Sequence, residues 1–223
     1  MDQGLKVINF PASKGLKKAR IKKIDGVKYF NPNQIKLLRR SSRDKGELDL
    51  KKGQVTGVRD WMAIDLLTCT GLRVSEAANL CCGDLKLGYG ESKIFVRKGK
   101  GSISSSVVIN ESLKKHLKQF LAWKATRKEP IGEDDPLLIG QRGKWTSQAI
   151  QLTVKKYLKA LDLYMEGKSV HSLRHSYGVE LYAKEKDLRA VQKQLRHVSI
   201  QSTLIYADVT DENISQQIKG LWQ

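Results

Sequence analysis

Acidic residues are scarce in this chain. Its 223 residues hold 23 Asp and Glu against 41 Lys and Arg, a formal net charge of +18 with a pI near 9.8. A surplus that large points to a polyanionic partner. Cysteine is scarcer still. Cys69, Cys81 and Cys82 are odd in number and form no C-x-x-C pair, so neither a zinc site nor a disulfide framework is supported. They read as small buried residues in a reducing compartment. No apolar run approaches the ~18 residues of a membrane span, and the start, Met-Asp-Gln-Gly-Leu-Lys, lacks the apolar stretch of a signal peptide. The expectation is a cytoplasmic protein without a membrane partner. No acidic cluster suits Mg²⁺, so neither a metal nor another cofactor is expected, and no internal repeat is visible. Hydrophobic content of 40% is still enough for one full core at this length.

The positive charge is uneven. Residues 1–58 carry 15 Lys and Arg against 5 Asp and Glu, concentrated at Lys14, Lys17, Lys18, Arg20, Lys22 and Lys23. Few apolar residues interrupt this run, which reads as an arm or short strands that contact nucleic-acid phosphates. Residues 198–223 reverse the sign, with one Lys and three acids. There Ile214, Ile218, Leu221 and Trp222 recur at helical spacing, an amphipathic tail that docks on its own domain or in a groove of a neighbouring subunit.

Between these ends the pattern is chiefly helical. Asn31-Pro32-Asn33-Gln34 supplies a cap, a proline suited to the first turn and a capping-box partner. Ser41 to Gly53 is polar and charged and reads as a loop or frayed helix end. Thr56 to Cys69 reads as a buried helix ended by Gly71, and a further helix starts at Leu72. Ile94–Val96 and Val107–Ile109 read as two short strands joined by the basic connector Arg97-Lys98-Gly99-Lys100-Gly101-Ser102. Helices are expected over Glu111–Lys128, from Thr146 or Ser147, from Ser169 or Val170, and from Asp187, with a short strand over Leu137–Ile139. His116 reads as a surface residue.

Three of the four histidines fall between His171 and Tyr206. The stretch opens His171-Ser172-Leu173-Arg174-His175-Ser176. It closes Leu195-Arg196-His197-Val198-Ser199-Ile200, followed by Thr203 and Tyr206. A tyrosine beside Arg and His has the chemistry of phosphodiester attack. The phenol is the nucleophile, the guanidinium neutralises phosphate oxygens, and the imidazole shuttles a proton or donates a hydrogen bond. Upstream, Thr70-Gly71-Leu72-Arg73-Val74-Ser75-Glu76 adds a second Arg and a carboxylate.

With these pieces in order, the chain resembles the catalytic domain of the tyrosine recombinases, the phage integrase family, from about Asn31 to Tyr206. The resemblance implies a mainly α fold with a small antiparallel β-sheet (α+β). It implies DNA strand exchange through a 3′-phosphotyrosyl intermediate formed by Tyr206. Arg73 and Arg174 would clamp the phosphate, with Glu76 and His175 in support. His171 and His197 would assist proton transfer, and a hairpin lysine, Lys98 or else Lys100, would protonate the leaving oxygen. Lys100 and Arg196 join the basic arm as expected DNA contacts. Arg196 stands where the family often has Gly, so it either contacts DNA or crowds the site. The implied partners are double-stranded DNA at a specific recombination site, a tetramer linked through the tail, and accessory DNA-bending factors in the nucleoid. The resemblance leaves three roles open: integration or excision of a phage or mobile element, resolution of chromosome or plasmid dimers, and inversion of a segment; the short, extension-bearing form favours a mobile element. A non-catalytic regulator on the same fold and a type IB topoisomerase-like enzyme are the alternatives. The expected divisions are a basic extension (1–30), the catalytic domain (31–208) and the tail (209–223). Only about thirty residues precede Asn31, where the family usually carries a helical core-binding domain, so the chain reads as a naturally minimal recombinase or a catalytic fragment.

Overall fold

The computed structural model describes residues 28–98 and 102–206. The basic residues Lys14 to Lys23, Lys100 and the tail helix expected over 209–223 lie outside the described residues. Eight α-helices and five short strands are described: α1 (Pro32–Lys51), α2 (Thr56–Thr70), α3 (Val74–Asn79), β1 (Leu85–Lys86), β2 (Lys93–Lys98), β3 (Ser102–Val108), α4 (Glu111–Thr126), β4 (Ile139–Gly140), β5 (Gly143–Lys144), α5 (Ser147–Ala160), α6 (Val170–Glu185), α7 (Leu188–Leu195) and α8 (Gln201–Leu204). The fold is mainly helical with a small antiparallel sheet of order β1-β2-β3, as expected. The strand expected over Leu137–Ile139 begins two residues later and forms a two-stranded ribbon of β4 with β5. Among the described residues no helix is long and apolar enough to cross a membrane.

Helix α2 is the centre of the molecule. Twelve of its 15 residues are buried, including Met62, Ile64, Leu66 and Leu67, so it is enclosed on all sides. Helices α1, α4, α5 and α6 pack around it. Local chemistry sets where the helices start. Asn31 forms the expected capping box, with the Gln34 N–H donating to its side chain at 2.9 Å and the Gln34 side chain accepting from the Asn31 N–H at 3.0 Å. The side chains of Asn110, Thr146, Ser169 and Asp187 accept first-turn backbone N–H groups of α4, α5, α6 and α7, and Ser169 forms a capping box as well.

The reading of Ser41–Gly53 as a loop or frayed helix end is corrected: α1 continues unbroken from Ser41 to Lys51. Its buried face consists of Leu38, Ser42, Gly46 and Asp49, and only the first of these is apolar. Small residues let α1 approach α2 closely. A Cβ on Gly46 would stand 2.9 Å from the Trp61 ring, and one on Gly57 would stand 2.7 Å from the Asp49 carboxylate. Asp49 then accepts the Gly57 N–H at 2.7 Å, satisfying a free donor in the first turn of α2, and Lys45 pairs with the same carboxylate.

His116 is also corrected, from surface to buried. It stacks on Trp61 with ring centroids 3.8 Å apart, and its Nδ1 lies 2.8 Å from Asp65, which also accepts from Arg39 Nε at 2.9 Å. The polar ring is tolerated inside because a carboxylate from α2 meets it. Asp49→Ala should therefore lower unfolding stability by about 1–2 kcal/mol, with Asn recovering part of the loss because its oxygen still accepts. Chemical denaturation checks both variants.

Candidate active site

Two turns and two helix ends converge beside α6. At the first, α2 ends on Gly71 in the left-handed conformation (φ 64°), which glycine adopts without strain. The chain turns there and Arg73 becomes the N-cap of α3. Glu76, three residues on, folds back on this turn. Its Oε2 accepts the Arg73 backbone N–H at 2.6 Å, and its Oε1 pairs with Arg73 Nη1 at 2.9 Å. Arg73 keeps 43% of its side chain exposed, so one edge of its guanidinium remains open.

Arg174 lies on α6, three-residue spacing from His171 and one residue before His175, and is buried. Its Nη1 donates to the carbonyl of Gly71 and its Nη2 to the carbonyl of Leu195. One guanidinium thus joins the end of α2 to the end of α7. Burial, then Arg73 and Arg196, push its pKa down to about 10, which leaves it charged at neutral pH.

The second turn follows α7. Arg196 occupies the helix end at φ 57°, and His197 comes next. His197 Nδ1 lies 2.9 Å from the hydroxyl of Thr203, and its ring stacks at 6.3 Å from that of Tyr206. Burial, reinforced by Arg174, Arg73, His175 and Arg196, pushes His197 down to about 4, so it is neutral at pH 7. Burial and then Arg174 and His171 lower His175 as well.

Tyr206 is buried beside Val191 and Leu195. Its ring lies over Gly178 of α6, where an added Cβ would stand 2.7 Å from the tyrosine Cζ. Its hydroxyl meets His175 Nδ1 at 3.0 Å. Burial raises the phenol pKa and the charge of Arg174 opposes that shift. The histidine hydrogen-bonded to the phenol is therefore one held toward its neutral, proton-accepting form.

Of the expected residues, Arg73, Glu76, Arg174, His175, Arg196, His197 and Tyr206 are brought together. Arg196 does not project to the surface. Its side chain is 8% exposed and its Nη2 pairs with Glu76 at 2.5 Å. His171 sits exposed in the first turn of α6, its N–H held by Ser169 Oγ at 3.3 Å. Lys98 ends β2 opposite Ser102, one residue after Arg97, which is held by Asp84 at 2.5 Å and Asp134 at 2.6 Å. The sheet is in turn tied to the site by Gln194, which exchanges hydrogen bonds with the backbone of Val108 and donates to the Tyr177 hydroxyl. Sequence reading assigned no role to Thr203, Gly178 or Gln194. The position of Thr203, three residues before Tyr206, is the one hint the sequence holds for any of them. Among the described residues no group of three or more His, Cys, Asp or Glu is placed to hold a metal ion.

Two predictions follow from this geometry. Gly178→Ala should destabilise the fold by about 1–3 kcal/mol through overpacking against Tyr206, although Gly to Ala inside a helix is ordinarily stabilising; a thermal melt gives the sign. Side-chain NMR titration should place His197 near pH 4. Because its folded pKa lies below the unfolded value of about 6.5, the unfolded chain binds more protons between these limits. His197 therefore contributes stability that is present above pH 6.5 and is lost as pH falls toward 4.

Comparison with known proteins identifies the family and the fold. The tyrosine recombinase XerC of Herpetosiphon aurantiacus is 33% identical over 167 residues, which cover 74% of this chain and 53% of that relative. XerD of Oceanobacillus iheyensis is 33% identical over 183 residues, 79% of this chain and 57% of that relative. The chain thus spans about half the length of the curated relatives it matches. Among solved structures, XerA recombinase superposes with a TM-score of 0.67 at 23% identity, covering 87% of this chain and 65% of that one. XerH recombinase, in a post-cleavage complex with palindromic difH substrate, gives 0.69 at 24%, covering 88% and 53%. These two likenesses establish the fold. The sequence profile of the phage integrase family matches residues 28–213, a span that includes every described residue, and the chain belongs to that family.

Proposed function

We propose that this chain is the catalytic part of a site-specific DNA recombinase. The observation that carries the reading is Arg174, with Arg73 beside it, next to a tyrosine whose hydroxyl is hydrogen-bonded to a histidine. Tyr206 Oη attacks the scissile phosphorus, its proton passing to a neighbouring imidazole. The 3′-phosphotyrosyl bond forms as the bond to the 5′ oxygen breaks, and that oxygen leaves as a hydroxyl protonated by Lys98 or Lys100. The reverse attack by a 5′-hydroxyl from another strand restores the phosphodiester with exchanged partners, and no external energy source is needed. Arg73 and Arg174 bind the non-bridging oxygens, where charge builds up in the transition state. The neutral imidazole of His197 donates a hydrogen bond to the same group without adding to the charge already supplied by the arginines. His171, exposed at the mouth of the site, extends this set of donors toward DNA.

The partner on this reading is double-stranded DNA at a defined site. Relatives in this family named as recombinases, and solved neighbours described as bound to a difH substrate or to transposon right end DNA, support it. The basic residues Lys14, Lys17, Lys18, Arg20, Lys22 and Lys23 add phosphate contacts along the duplex. The active assembly is a tetramer joined through the tail beyond Tyr206, with accessory DNA-bending factors, acting in the cytoplasmic nucleoid. The transposon integrase among the structural neighbours favours a mobile-element role.

Covalent trapping tests the reaction class. Incubation with nicked duplexes from candidate junctions should give a protein–DNA band that survives denaturant, and Tyr206→Phe should abolish it. Arg73→Ala should slow formation of that band by about 100- to 1,000-fold. A band that persists in Tyr206→Phe would remove Tyr206 as the nucleophile.

A further inference from the structure

Arg196 is in a costly place for an arginine. It ends α7 at φ 57°, in the left-handed region that glycine ordinarily fills at a helix end. Its side chain turns inward rather than out. Nη1 donates to the carbonyl of Gln194 at 3.0 Å and Nη2 to Glu76 Oε2 at 2.5 Å, while the buried Nε has no partner among the described residues. Glu76 therefore receives three donors: the backbone N–H of Arg73, the Arg73 guanidinium and the Arg196 guanidinium.

This sharing has a geometric consequence. Glu76 belongs to the turn that carries Arg73, and Arg196 immediately precedes His197. The Arg196–Glu76 pair is thus a side-chain tie between two turns 120 residues apart in the chain. The same pair divides the charge of one carboxylate between two guanidiniums, so Arg73 is not fully neutralised and keeps an open edge. A glycine at 196 would relieve the backbone but leave Glu76 to Arg73 alone. We infer that Arg196 is a positioning residue of the phosphate site: through Glu76 it holds the Arg73 turn and the His197 turn in register and leaves Arg73 free to bind the scissile phosphate. This deepens the function proposed above and rests on Arg73 and Arg174 being the phosphate ligands.

Inorganic phosphate binding to the full chain, followed by calorimetry, separates this role from a simple charge effect. Arg196→Gly removes a positive charge from the site and Glu76→Gln removes a negative one. If Arg196 acts by positioning, both variants weaken phosphate binding, by about tenfold or more, although they alter the site's charge in opposite directions. Arg196→Lys, which keeps the charge and part of the reach, should recover some of the loss. The melting temperature of Arg196→Gly should stay close to that of the parent chain, because relief of the left-handed backbone offsets the lost ion pair. If Glu76→Gln instead tightens binding while Arg196→Gly weakens it, Arg196 acts only through its field and the inference is wrong. Unchanged affinity in Arg196→Gly, with affinity lost in Arg73→Ala, also overturns it but leaves the phosphate site standing. If Arg73→Ala too is without effect, phosphate binds elsewhere, and the functional reading fails along with the inference.

Discussion

The guanidinium of Arg174 joins two backbone carbonyls, those of Gly71 and Leu195, and the site is built around that tie. Each carbonyl ends a helix, where backbone acceptors lack partners within the helix. A buried cation satisfies both at once, and its own charge is balanced by their dipoles rather than by a carboxylate. That choice matters for an anion site. A carboxylate on Arg174 would cancel the charge that draws in phosphate, whereas carbonyl oxygens fix the side chain and leave its net charge intact. The carboxylate present, Glu76, contacts Arg73 and Arg196 instead.

Burial and charge together explain the histidines. Burial first, then Arg174 for His175 and Arg174, Arg73 and Arg196 for His197, drives both toward the neutral form. Positive charge is thus supplied by groups that do not titrate near neutrality, and the imidazoles remain available for hydrogen bonding and proton transfer. Guanidinium and imidazole chemistries are kept apart by pKa although they occupy one small volume.

Much of the fold is legible in the sequence. The cap at Asn31, the buried α2, the stop at Gly71 and the hairpin strands all announce themselves through local spacing or residue chemistry, whereas Arg73, Arg174, His197 and Tyr206 stand out as a set only through their order and its resemblance to a known family. What escaped depends on contacts distant in sequence. The second half of α1 reads as a loop or frayed helix end in the sequence because Ser42, Gly46 and Asp49 bury a helix face without apolar side chains; only the closeness of α2 makes that face favourable. His116 looked exposed because its partner, Asp65, lies 51 residues away. Arg196 left two readings open, a contact with DNA or a crowded site. Its left-handed backbone and its bond to Glu76 are tertiary facts that no local pattern encodes.

Gly178 has a consequence for the kind of nucleophile this fold accepts. Without a side chain there, the surface of α6 has a groove one aromatic ring deep, and the Tyr206 ring occupies it up to the carbon that bears the hydroxyl. The rigid ring therefore acts as a spacer, setting how far the reactive oxygen stands from the backbone of its own short segment and delivering it to His175. A serine or threonine hydroxyl in the same segment is attached at Cβ, a full ring length short of that histidine. In this architecture the choice of a phenol is dictated by reach as well as by acidity.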